Sequence, residues 1–167
     1  GHARLGDPRR TRRLVSLTSS LAQHAGLSIV KSSQSTAQVE GAYRLIHNPS
    51  VSPQAIAEAG FTATVRVCEA HPLLLALEDT TTINFSHSTA SDDQGNTTTN
   101  PKTRGLLAHS VLMYAPDSAL PVGFIEQQRW SRVTDTYGVK HQRKERPCEE
   151  KESYRWQQAS ERMAERL

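Results

Sequence analysis

Glu78 and Asp79 stand side by side at the end of the apolar run Leu73–Leu77 and are followed by Thr80, Thr81 and Thr82. An ionised carboxylate closing a core element is costly to desolvate unless a metal ion or a cation compensates it. Carboxylates at strand ends are also a common device for holding catalytic Mg²⁺. The chemistry this pair suggests is therefore metal-assisted attack on a phosphoryl group. Strand side chains alternate between faces, so only one of the two points into such a site. Capping or ordinary ion pairing is the plain alternative for both.

A second group with chemical potential is Arg9, Arg10, Arg12 and Arg13, just after Asp7-Pro8. Asp at the N-cap and Pro at the first helical position mark a helix start. Positive charge in the first turns opposes the helix macrodipole, so helix stability does not account for four arginines there. Contact with DNA phosphates does, and Arg44 and Lys31 join the same set of candidate DNA-binding residues. The bland alternative is a solvated charged face. Tyr43 could approach a DNA backbone, although Tyr at an apolar helix position is more often core. His109 has no companions at metal-ligand spacing and reads as a hydrogen-bonded histidine. Ser110 has no evident base, which argues against a hydrolase triad. Trp130 and Trp156 read as packing residues.

These groups need elements to position them. Leu14, Leu17, Leu21 and Ala25 recur at helical steps after Asp7-Pro8, with Gly26 as a stop. The Ser/Thr-rich stretch 28–36 reads as a loop or short extended piece. Ser35 with Gln38 can form a capping box for a second helix through Val39, Ala42, Tyr43 and Ile46, ended by Asn48-Pro49. Ser52-Pro53 opens a third, closed by His71-Pro72. Three helices make a module of the size that carries many DNA-binding units.

After Pro72 the pattern changes to strands: Leu73–Thr80 running on towards Phe85, Leu106–Tyr114, and Val122 towards Trp130. Turns between them suggest an antiparallel meander. Residues 86–104 read as a polar loop with little reason to pack, and 131–147 as polar with no visible period. From Glu149 to Leu167 a charged helix should carry Trp156, Ala159, Met163 and Leu167 on one face. The leucine run Leu73–Leu77 is expected to be buried.

Charge is unevenly spread along the 167 residues. Positions 1–66 hold eight Lys/Arg against three carboxylates, 67–139 four against eight, and 140–167 eight against six. A basic front with an acidic centre fits a phosphate-binding module ahead of a metal-binding one. Hydrophobic content of 36% and aromatic content of 5% are low for a compact domain and suggest long polar loops or a missing partner. Gly1-His2 reads as a tag-cleavage remnant. No apolar run approaches the length of a membrane span, and Cys68 and Cys148 read as unpaired thiols of a reducing cytoplasm.

With these residues in hand, the chain resembles the DDE transposases of bacterial cut-and-paste insertion sequences, within the insertion-sequence-four family. The resemblance rests on Leu5-Gly6-Asp7-Pro8-Arg9-Arg10-Thr11, on Glu40-Gly41-Ala42-Tyr43-Arg44 with Asn48-Pro49, and on Glu78-Asp79-Thr80-Thr81. It continues through Arg104-Gly105, His109-Ser110-Val111-Leu112 and Glu150-Lys151-Glu152-Ser153. Each piece alone is weak, but their order and spacing are specific.

The resemblance implies an α+β chain. A three-helix DNA-binding module over 3–70 would precede the opening antiparallel strands and first helix of an RNase H-like catalytic core over 71–167. It implies binding to double-stranded DNA at transposon inverted ends, in a bacterial cytoplasm and associated with the nucleoid. It makes Asp79 the first of three metal-binding, catalytic carboxylates, serving Mg²⁺ (or Mn²⁺) in cleavage and strand transfer by the parent enzyme. The family places its second aspartate and its glutamate beyond the position of Leu167. The expectation is thus a transposase fragment that is catalytically incomplete and need hold no metal itself. The alternative is a truncated DNA-binding regulator or inhibitor of transposition. The apolar sheet surface of a partial core would call for cover, which a homodimer could supply.

Overall fold

The computed structural model describes residues 2–85, 94–97, 103–132 and 145–167. The chain forms two compact units, Gly1–Ala63 and Thr64–Leu167.

The first unit is helical, and its boundaries follow local capping chemistry. Helix α1 spans Pro8–Gln23, with the Asp7 side chain accepting from the Arg9 N–H at 2.8 Å. Helix α3 spans Thr36–Ile46. Ser35 Oγ accepts from the Gln38 N–H at 3.3 Å, while Gln38 Oε1 accepts from the N–H of Gln34, at 2.7 Å. The capping box is therefore shifted, with its return bond one residue before the cap. Helix α4, Pro53–Cys68, starts with Ser52 Oγ accepting from the Ala55 N–H, and its last turn, from Thr64, belongs to the second unit.

The stretch 28–36, expected as a loop, contains a single helical turn, α2, at Ile29–Ser32. Ser28 caps it, Ser33 Oγ donates back to the Ile29 carbonyl at 2.7 Å, and Ser20 Oγ of α1 donates to the Ser32 carbonyl. Hydroxyls satisfy the ends of a turn too short to show a period. Leu5, Leu14, Leu45 and Val51 form the core, with Leu17, Ala55 and Ile56 packed against them. Tyr43 lies outside it, 42% exposed and stacked on His47, because Ala42 and Leu45 take the inward positions of α3.

The second unit is an antiparallel sheet with a helix on one face. Strand β1 is Leu75–Phe85, β2 Gly95–Asn96, β3 Arg104–Ala115 and β4 Leu120–Trp130. The long central β3 pairs with all three others. β2 is part of the stretch 86–104 expected to be an unpacked loop. Gly95 sits opposite Gly105, and Gly95 and Thr97 are buried. A methyl group at Gly105 would run into the Ile83 carbonyl, so β1 approaches β3 closely there. Residues 86–93 and 98–102 of that stretch, and most of 131–147, fall outside the described residues.

The β1–β3 register is unbroken, but β3–β4 is irregular between Val111 and Leu112 and again between Met113 and Tyr114. The first irregularity leaves Ile125 as an extra residue, and Ile125 is fully buried. After a 3₁₀ turn at Cys148–Glu150, helix α5 spans Tyr154–Arg166, starting later than the Glu149 expected. Ala159 and Met163 pack with Cys68, Val111, Met113 and Ile125. Leu167 is 61% exposed.

The leucine run is a correction. Leu73, Leu75 and Leu77 are 60%, 45% and 48% exposed. The face of β1 that carries Leu75 and Leu77 points away from the one that α5 covers.

Candidate nucleic-acid interface

Arg9, Arg12 and Arg13, with Ser16 and Ser20 one and two turns on, occupy one side of α1 at three- and four-residue steps. With Ser33 and Gln38 they line a cavity of about 360 Å³. A second cavity of about 380 Å³ is lined by Arg9, Arg10 and Arg13 together with Arg44, Glu40 and Asn48 of the α3 side. Arg9 and Arg13 border both. Of the six sequence-predicted phosphate contacts, five converge here, and Lys31 on α2 lines neither cavity.

The arginines are not equivalent. Arg9 is hydrogen-bonded to Asp7, with Nη2 3.0 Å from Oδ2. That bond, with the Arg9 N–H, holds the Asp7 carboxyl below the usual carboxylate range. It also offsets the cost of a cation in the first turn. Arg10 donates to the carbonyl of Leu5 at 3.0 Å and reaches that of Ser50 at 3.5 Å, so it ties chain segments together. Arg44 pairs with Glu40 one turn earlier, at 3.1 Å. Arg12 and Arg13 are exposed, and no described residue holds either side chain by a hydrogen bond or ion pair. A guanidinium without an internal partner on a basic concave surface is a ready phosphate donor.

Sequence reasoning missed the serines. Their signal was present in the spacing Arg9, Arg12/Arg13, Ser16, Ser20, a polar stripe opposite Leu14.

In the second unit the two adjacent carboxylates separate. Asp79 is exposed and faces the open side of the sheet, in a row with Ser110 and Gln127 on the neighbouring strands. Gln127 Nε2 donates to Ser110 Oγ at 3.0 Å. Glu78 lies on the opposite face under α5, accepting from Ser160 Oγ at 2.7 Å. His109 is fully buried beside it. Its Nδ1 is 2.9 Å from Thr80 Oγ1, and its ring centroid lies 4.8 Å from that of Trp156. Nε2 comes within 3.4 Å of Glu78 Oε2 without hydrogen-bond alignment.

Mg²⁺ takes about six oxygen ligands, and two-metal phosphoryl transfer draws on several carboxylates. Asp79 brings one, beside neutral Ser110 and Gln127. Among the described residues, no three His, Cys, Asp or Glu form a group that could hold a metal ion. The described residues therefore do not make up a metal site by themselves.

A small helical unit with an arginine-lined concave surface, followed along the chain by an antiparallel sheet with one helix, defines an α+β protein. Residues 1–51 match the family described as transposase DNA-binding. The match supports a transposase DNA-binding domain at the N-terminus, with DNA as its partner. Among the described residues, no helix is long and apolar enough to cross a membrane.

Proposed function

We propose that this chain is the N-terminal portion of a cut-and-paste DNA transposase of the insertion-sequence-four family, similar to that of transposon five, and that it binds the inverted ends of its element. The observation that carries this is the convergence of Arg9, Arg12, Arg13 and Arg44 around two basic cavities that share Arg9 and Arg13, within the segment matched to transposase DNA-binding domains. Phosphates seated there would fix the register of the duplex, leaving neighbouring polar groups to meet base edges.

The second unit would then be the opening of an RNase H-like core, with Asp79 the first carboxylate of a Mg²⁺-dependent site completed by other residues. Its placement on an exposed face, with polar neighbours and no ion-pair partner among the described residues, supports that reading.

Fluorescence anisotropy with duplexes carrying candidate inverted ends of the source element, against scrambled duplexes of equal length, tests the binding function. A preference for end sequence, with log affinity falling linearly in log salt, is expected. Equal and salt-insensitive affinity for both duplexes would refute it.

A further inference from the structure

Gly41 is buried in the middle of α3, although glycine in a helix interior is unfavourable relative to alanine. No turn or positive φ calls for it, since its backbone is helical. What covers it is the Arg13 side chain. A methyl at Gly41 would coincide with the guanidinium, overlapping Nη1 and lying 3.2 Å from Nε. No described residue holds Arg13 by a hydrogen bond or ion pair, and Arg13 borders both basic cavities. The bare backbone at Gly41 is therefore what leaves room for the Arg13 guanidinium on α3.

We infer that Gly41 is a positioning residue for DNA binding: its missing side chain leaves a flat seat on α3 in which the Arg13 guanidinium lies, pre-aimed between the two cavities at a backbone phosphate. A long cation free in solvent must lose rotamer freedom to bind, whereas one already seated loses less. The overlapping atoms are the far end of a flexible side chain, so a methyl at this position would displace Arg13 and leave the helix intact.

This inference rests on the proposed DNA-binding function, and a double-mutant cycle separates the two. The full chain and its Gly41→Ala, Arg13→Ala and combined variants are titrated against a fluorescein-labelled duplex of mixed sequence across a salt series. Thermal melting is followed in parallel. Arg13→Ala is expected to weaken binding roughly tenfold or more, the range for one charged hydrogen-bonded contact, and to lower the salt slope by about one. Gly41→Ala should reproduce most of that loss and the slope change while melting no lower than the parent. The combined variant should bind no worse than Arg13→Ala alone.

Parent-like binding by Gly41→Ala, or losses that add in the combined variant, would overturn the seat while leaving the binding function standing. Unchanged binding by Arg13→Ala would count against both. Should Gly41→Ala fail to fold, Arg13→Lys decides. A side chain that keeps the charge but cannot lie flat on the glycine should bind as poorly as Arg13→Ala, and parent-like binding would overturn the seat.

Discussion

Three arginines within four residues of α1, Arg10, Arg12 and Arg13, look interchangeable in sequence, yet the structure assigns Arg10 a different task from the others. Arg10 Nη1 donates to the carbonyl of Leu5, a buried core residue, at 3.0 Å, whereas its second acceptor, Ser50, is at the 3.5 Å limit. One charged hydrogen bond to a carbonyl near the core is worth about 1.5 kcal/mol, and the long one adds little. Arg10→Ala should therefore destabilise the first unit by about 1.5 kcal/mol, a fall of roughly 6–12 °C in Tm for a unit of this size. Arg12 is exposed and has no described partner, so Arg12→Ala should change stability by less than about 0.5 kcal/mol. It should instead weaken DNA binding by about 1.5 kcal/mol, roughly tenfold, and reduce the salt slope by about 0.9. Circular-dichroism melting and anisotropy titrations across salt, run on both variants, separate the two effects. A full-unit slope change in Arg10→Ala with an unaltered melt would show Arg10 reaching phosphate, and the partition argued from its carbonyl contacts would be wrong.

Further outcomes follow from the second unit. Glu126 is 2% exposed and is held by Arg166 at 3.1 Å and more distantly by Arg162 at 3.7 Å. Arg166→Ala, which leaves Arg162 as a partial substitute, should cost about 2 kcal/mol in urea unfolding, below the usual range for breaking a buried pair. A cost under about 0.5 kcal/mol would mean the pair does not anchor α5. Asp79→Asn touches an exposed side chain and should leave urea stability within about 0.5 kcal/mol of the parent; a large loss would place Asp79 in the scaffold. Glu152 accepts from Arg132 at 2.6 Å, and this bond holds its carboxyl below the ordinary 4.5. A depressed carboxyl contributes stability that is present above its unfolded value and lost as pH falls through the lower folded value. The parent should thus lose stability relative to Glu152→Gln below pH 4.5, and parallel pH profiles would remove Glu152 from the account.

What the sequence revealed was what local chemistry determines. Asp7-Pro8, Ser35 with Gln38, and Ser52-Pro53 each begin a helix where capping rules put it, because a cap needs only its own next turn. The three long strands were visible as β-rich runs between turns. The α2 turn was too short to display a period, and β2 depends on Gly95 and Gly105 meeting across a long connection, which no window of sequence contains. Exposure was the larger miss. Alternation shows that Leu75 and Leu77 share a face, but whether another layer covers that face is decided by distant chain. The same limit applies to Tyr43, whose position on α3 was apolar by period but peripheral by packing. At the candidate interface the arginines were legible by type, while the division between Arg10 as a structural tie and Arg12 and Arg13 as available cations was not. That division depends on carbonyls in segments that only folding brings near.

The separation of Glu78 from Asp79 shows how firmly the second unit assigns their roles. A slip of one residue between β1 and β3 would exchange them, placing Asp79 beneath α5 and Glu78 on the open face. The pairing prevents this by running without interruption from Leu75 opposite Tyr114 to Phe85 opposite Arg104, while both register irregularities fall on the β4 side. The Glu78 side also carries a specific partner, the Ser160 hydroxyl, which Asp79 with its shorter side chain would reach poorly. The polar layer under α5 thus works as a register lock for the strand. It holds Asp79 outward, beside Ser110 and Gln127, on the exposed face of the sheet.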